Sequence, residues 1–145
     1  MTQHQVRDHV RKHYGAIARG AIHLIAYLDD PRSAYAAADI VVARSGASTL
    51  GELAATGTPA LLVPFPFATA DHQARNAEAF ARGGAAHVVA DRELDALRLL
   101  DELHALLAPE RLATMRAAAH EAGGDPRAAV RERVKRWLPA KNVQR

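Results

Sequence analysis

The chain is 145 residues long, 49% hydrophobic and 24% charged, with a formal net charge of +3 and a sequence pI of 9.7. That length suits one domain with a real core, and the apolar content excludes a disordered chain. The absence of cysteine excludes disulfides, thiolate metal sites and a cysteine nucleophile.

Residues 3–19 place Val6, Val10, Tyr14 and Ile17 on one helical face, with Arg7, Arg11 and Lys12 opposite, and Gly20 as a stop. Residues 21–28 read as a short strand through Ile22, Leu24 and Ile25. Asp29-Asp30-Pro31 is a turn that also opens a short helix, expected over 33–38. Residues 40–43 form an apolar run of the kind found in buried parallel strands. A helix over 49–55 follows, stopped by Gly57 and Pro59. The next strand covers 60–63, and Pro64-Phe65-Pro66 stiffens its exit. A helix over 71–82 carries Ala77 and Phe80 inward and closes at Gly83-Gly84, before a strand over 86–89. The remainder is helical: Leu97, Leu100, Leu103 and Leu107 form one stripe, Pro109 restarts a helix through Leu112 and Met115, and Asp125-Pro126 opens another with Val130, Val134 and Trp137.

Strands alternating with helices predict an α/β domain, a Rossmann-like parallel sheet with flanking helices. Residues 1–139 are expected to be one partial domain with C-terminal helices, and 140–145 a frayed tail. No apolar run reaches membrane-spanning length and the N-terminus has no signal-peptide core, so a cytoplasmic protein is expected. The basic excess is spread along the chain without aromatic interleaving or zinc spacing, which argues against nucleic acid as a partner. It remains compatible with peripheral contact to anionic lipid.

Two segments carry chemistry. In Arg44-Ser45-Gly46-Ala47-Ser48-Thr49, an apolar strand ends in a glycine turn that opens a helix. Backbone N–H groups and the helix dipole there favour an anion such as a diphosphate, with Thr49 adding a hydroxyl and Arg44 a charge. The same residues support a plainer reading, because Thr49-x-x-Glu52 has the spacing of a capping box. Glu52, placed in the first turn and facing the crevice, has the geometry to accept hydrogen bonds from two vicinal ribose hydroxyls. It reads equally as a capping or surface glutamate. In Asp71-His72-Gln73-Ala74-Arg75-Asn76, His72, Gln73 and Asn76 lie within one helical turn. Gln73 and His72 suit sugar or phosphate oxygens, Asn76 suits the loop backbone, and a polar helix start is the plain alternative. His23 and His87 read as packed strand residues, and no histidine pair has metal-ligand spacing with a third ligand. There is no nucleophile elbow, phosphate-binding Walker loop or evident general base.

Ala38-Asp-Ile-Val-Val-Ala-Arg-Ser-Gly-Ala-Ser-Thr-Leu-Gly-Glu52, then Gly57-Thr-Pro59, Leu62-Val-Pro-Phe65, Asp71-His-Gln73, Asn76-Ala77 and Gly84-Ala-Ala86 resemble, in order and spacing, the donor-binding half of MurG-type transferases of glycosyltransferase family 28. The resemblance implies the C-terminal half of a GT-B fold, incomplete here. It implies an inverting transfer of N-acetylglucosamine from UDP-N-acetylglucosamine to the lipid-linked muramoyl-pentapeptide precursor of peptidoglycan, without a cofactor. By position, Glu52 would bind the ribose, and Ala47, Ser48 and Thr49 would lie against the diphosphate and ribose. Arg44 would support their loop, to which Ser45 and Gly46 also belong. The backbone at Leu28 would read uracil, His72 and Gln73 would contact sugar and phosphate, and Asn76 would stand beside them. The chain departs from the pattern at Tyr27-Leu28, where Phe-Ile is common, and at Arg75, where an aromatic residue is frequent.

The glycine-rich acceptor domain of such enzymes has no counterpart before Gln3. The resemblance therefore implies a lipid-linked acceptor held by a separate domain or subunit, no catalytic base in this chain, and a place at the inner face of the plasma membrane. A non-catalytic nucleotide-sugar module, or a transferase for a different lipid acceptor, stays open as an alternative.

Overall fold

The structure is a computed structural model that describes residues 8, 25, 27–67 and 72–123. Two compact units divide the chain, Met1–Pro31 and Arg32–Arg145. In the first unit, Asp8 is helical, while Ile25, Tyr27 and Leu28 are exposed and belong to no strand. The rest of the expected strand over 21–28, the helix over 3–19, the helix after Asp125 and the tail over 140–145 lie outside the described residues.

In order along the second unit come α1 (Pro31–Ala37, begun at the last residue of the first), β1 (Val41–Ala43), α2 (Ala47–Thr56), β2 (Ala60–Leu62), α3 (His72–Arg82), β3 (Ala86–Val88), a 3-10 turn at Asp91–Glu93, α4 (Ala96–Leu106) and α5 (Pro109–Gly123). The three strands form one parallel sheet in the order β1-β2-β3, with Val41 opposite Ala60 and Ala60 opposite Ala86. This is the α/β architecture expected from the alternation.

Strand geometry sends successive side chains to opposite faces, and β2 supplies both halves of the core. Ala60 and Leu62 pack with Leu53 of α2 and Ala77 of α3 on one face, joined by Tyr35, Leu50 and Phe80. Leu61 points the other way, into Val89, Leu106 of α4 and Met115 of α5. Because β2 is the central strand, all its residues are fully buried, which explains its unbroken apolar run.

The leucine stripe of α4 differs from expectation. Leu97, Leu100 and Leu107 are exposed, Leu97 by 75%. The inward face is Leu99, Leu106 and the stem of Glu102, whose carboxylate sits 3.1 Å from His87 Nε2 on β3. The helix carries leucines on two faces. The face that packs on the sheet is the one that brings Glu102 to β3. His87 thus has a polar partner in Glu102 rather than being a merely packed histidine.

Helix α2 ends in a left-handed residue, Gly57, with φ 65°. Its N–H donates to Ala54 O at 3.3 Å, and the N–H of Thr58 donates to Leu53 O at 3.0 Å. This is the Schellman pattern, and it satisfies the last carbonyls of the helix. Helix α5 passes along the same end of the sheet. Arg116 pairs with Asp39 ahead of β1, the His120 ring covers Gly57 ahead of β2, and Ala118 lies against Gly84 ahead of β3. The amino edge of the sheet is therefore covered.

Candidate functional site

Parallel strands bring the residues that follow them to one edge. Here those are Arg44-Ser45-Gly46 after β1, Val63 to Phe67 after β2, and Val89-Ala90-Asp91 after β3. Helices α2 and α3 start at this carboxyl edge.

Helix α2 begins earlier than the sequence pattern suggests, at Ala47, and its cap is Gly46. Gly46 has an extended backbone, φ −63° and ψ 148°, and no side-chain hydrogen bond caps the helix. The first helical bond is from Leu50 N–H to Gly46 O at 3.0 Å. The capping-box reading of Thr49 and Glu52 is therefore corrected: Thr49 stands inside the first turn rather than ahead of it. The expectation that Gly46 is needed for a sharp turn is also corrected, since its φ is open to any residue. A Cβ there would meet nothing nearer than Thr49 Oγ1 at 4.0 Å. What glycine contributes is the absence of a side chain over the helix start. Among the described residues no side chain caps the N–H groups of Ala47, Ser48 and Thr49, and orphan donors with the helix dipole behind them are suited to an anion.

Ala47 and Ser48 are exposed, while Thr49 and Glu52 are half-buried. Thr49 and Glu52 are three residues apart and share a helix face. Glu52 sits in the second turn, not the first, because the helix begins two residues before Thr49. Among the described residues its carboxylate has no ion pair or hydrogen bond.

Ser45 is fully buried, and its hydroxyl donates to Gln73 O at 2.7 Å. That hydrogen is committed to joining the β1 exit to the first turn of α3, so Ser45 acts on the loop rather than as a donor to a ligand. Gln73 is tied at its side chain as well: Phe65 N–H donates to Gln73 Oε1 at 3.0 Å. His72 is the first residue of α3 and is exposed. Asp71, the first residue of the helix expected over 71–82, lies outside the described residues. Asn76 makes no hydrogen bond to the loop. It lines, with Ala47, Leu50, Phe80 and Gly83, a groove of about 410 Å³ between α2 and α3.

Arg44 reaches the exits of β2 and β3. Its Nη1 donates to Val63 O at 3.2 Å and Pro64 O at 3.1 Å, and lies 2.5 Å from Asp91 Oδ1. Its guanidinium also lies 5.7 Å from the centroid of the Phe65 ring, which meets Phe67 edge-on. The charge expected to face a diphosphate instead clasps the exits of all three strands. Sequence reading missed Asp91. The available signal was its place just past a third parallel strand, where each exit residue borders the same edge.

Leu28 falls in the first unit and is exposed. The structure thus gathers Arg44, Ser45, Gly46, Ala47, Ser48, Thr49, Glu52, His72, Gln73 and Asn76 around the carboxyl edge and the helices that leave it. Among the described residues no cluster of His, Asp and Glu is arranged to hold a metal ion, and no helix is long and apolar enough to cross a membrane.

Comparison with known proteins bears on this arrangement. The glycosyltransferase family 28 C-terminal domain matches residues 2–131. A relative from Acidithiobacillus ferrooxidans is 45% identical over 128 residues, covering 86% of this chain and 36% of its own length. One from Sorangium cellulosum is 44% identical over 112 residues, covering 77% of this chain and 28% of its own. Both are named UDP-N-acetylglucosamine–N-acetylmuramyl-(pentapeptide) pyrophosphoryl-undecaprenol N-acetylglucosamine transferase. The chain thus spans about a third of the length of these curated relatives. The crystal structure of Acinetobacter baumannii MurG superposes with a TM-score of 0.75 at 26% identity, over 91% of this chain and 40% of that one. The match over most of the chain and the shared parallel α/β architecture lead to one conclusion: this chain belongs to glycosyltransferase family 28, through its C-terminal domain.

Proposed function

We propose that this chain forms the donor site of an inverting glycosyltransferase that moves N-acetylglucosamine from UDP-N-acetylglucosamine to a lipid-linked muramoyl-pentapeptide. The observation that carries the reading is the uncapped start of α2 at the carboxyl edge, with Thr49 and Glu52 on one face of that helix. The diphosphate takes the free N–H groups of Ala47, Ser48 and Thr49, where the helix dipole favours negative charge. Glu52 accepts hydrogen bonds from the two ribose hydroxyls. Gln73 and His72, at the start of α3, face the sugar.

In the transfer, an acceptor hydroxyl attacks the sugar C1 and the C1–O bond to UDP breaks, inverting the anomeric centre. Charge grows on the leaving diphosphate, and the N–H groups at the α2 start stabilise it in place. The acceptor and the base that takes its proton belong to the remainder of the length found in the relatives. The work is done at the cytoplasmic face of the membrane, where the lipid-linked acceptor is presented.

Calorimetric titration of the purified chain with UDP-N-acetylglucosamine, beside Glu52→Ala, tests the reading. Loss of charge-assisted hydrogen bonds to ribose weakens binding by about tenfold, or ~1.4 kcal/mol. Equal affinity of the two proteins for the nucleotide sugar would remove Glu52 from the site and the reading with it.

A further inference from the structure

We propose that Asp91 is a positioning residue for the sugar end of the donor site, acting through Arg44, the β2 exit and Gln73. The proposal rests on the donor-site reading above and extends it to a residue outside every motif of the sequence.

The argument follows four contacts. Asp91 Oδ1 lies 2.5 Å from Arg44 Nη1. The same nitrogen donates to Val63 O at 3.2 Å and Pro64 O at 3.1 Å, which fixes the peptide planes on either side of Pro64. The second of these peptides donates its own Phe65 N–H to Gln73 Oε1 at 3.0 Å. Only an oxygen can accept from that N–H, so the carboxamide orientation is unambiguous. Its Nε2 group must then point away from the β2 exit, offering donors rather than an acceptor. Meanwhile Ser45 Oγ donates to Gln73 O at 2.7 Å, holding the backbone of the same residue from the β1 side.

Gln73 is thereby set by all three strand exits: its main chain by β1, its side chain by β2, and the β2 exit by Asp91 after β3. Arg44 alone is a weak anchor, since its side chain is 48% exposed and two carbonyls compete with water for it. The Asp91 carboxylate keeps the guanidinium over those carbonyls. It also occupies a charge that would otherwise be drawn to a diphosphate. Removing Asp91 therefore loosens the sugar contact while leaving the α2 start untouched. A sugar-selective loss is the signature, because general damage to the edge would weaken nucleotide and nucleotide sugar alike.

The test compares the full chain with Asp91→Asn and Asp91→Glu by calorimetry against UDP and UDP-N-acetylglucosamine. In parallel, the Gln73 side-chain amide is followed by ¹⁵N NMR without ligand, assigned by its loss in Gln73→Glu. For Asp91→Asn the ratio of UDP-N-acetylglucosamine to UDP affinity falls about three- to fivefold, the scale of a partly exposed ion pair. The Gln73 amide signal shifts, and Asp91→Glu recovers part of both effects. Equal losses for the two ligands, or an unmoved Gln73 signal, overturn the proposal alone. A wild-type chain that binds neither UDP nor UDP-N-acetylglucosamine overturns the donor-site reading and the proposal together.

Discussion

At the amino edge of the sheet, α5 runs beneath the start of every strand. Arg116, Ala118 and His120 each meet a residue just ahead of one, and the end of α2 is closed by a Schellman pattern. At the carboxyl edge, loops take the place of a helix among the described residues. They are held by side chains reaching backbone carbonyls, as Ser45 and Arg44 do, and the start of α2 has no cap. One edge satisfies its backbone groups internally; the other leaves donors unmatched and then fixes their positions. Unmatched donors weaken a helix and are what an anion site requires. On the donor-site reading, stability belongs to the amino edge and binding to the carboxyl edge, and substitutions at equivalent points of each edge test it.

The largest expected effect is at Gly57. Its φ of 65° disfavours any side chain, and a Cβ would run into the His120 ring. Gly57→Ala should destabilise the fold by about 2 kcal/mol, read from the midpoint of urea unfolding. Adding His120→Ala should return only the steric part, because the backbone strain remains. If Gly57→Ala unfolds with the wild-type midpoint, the amino edge is not a stabilising element and the comparison fails.

Ser45→Ala should have a smaller effect that reaches both properties. Its hydroxyl is fully buried, and removing it breaks the bond to Gln73 O. A loss of about 1 kcal/mol in unfolding free energy is expected. UDP-N-acetylglucosamine affinity should also drop, since Gln73 is no longer held against the β1 exit. Lost stability with unchanged affinity would make Ser45 a packing residue only.

What could be read in advance follows the same division. The strand at 60–62 announces itself because a central parallel strand must be apolar on both faces, and those at 41–43 and 86–88 by their alternation with helices. Gly57-Thr-Pro59 marks a helix end by the backbone demands of its first residue. The site was legible as a set of residue types at strand exits, but their roles were not. Thr49 and Glu52 have the spacing of a capping box, and only the position of the first helical turn decides against it. Arg44 is a cation beside an anion site in the sequence, yet its partner is 47 positions further on, and no local pattern carries that information. The same holds for α4, where two leucine faces compete and the one that packs is the one that brings Glu102 to His87 on β3.

The smallest expected change in stability belongs to Gly46, the counterpart of Gly57 at the other end of α2. Its backbone is extended, and the nearest atom to a built Cβ is Thr49 Oγ1 at 4.0 Å. Alanine is a poorer cap than glycine, but it also restricts the unfolded chain, and the two terms are similar in size and opposite in sign. Gly46→Ala should therefore unfold within about 0.5 kcal/mol of wild type. Its methyl group, however, is added at the mouth of the N–H groups that would hold the diphosphate. UDP binding should weaken several-fold in a protein of unchanged stability, measured by calorimetry beside the urea curve. Gly57→Ala should show the reverse pattern: lower stability, with affinity retained at temperatures where it is folded. Unweakened UDP binding by Gly46→Ala would mean that the open helix start is not where the phosphates sit, and that the carboxyl edge owes its missing cap to something other than a ligand.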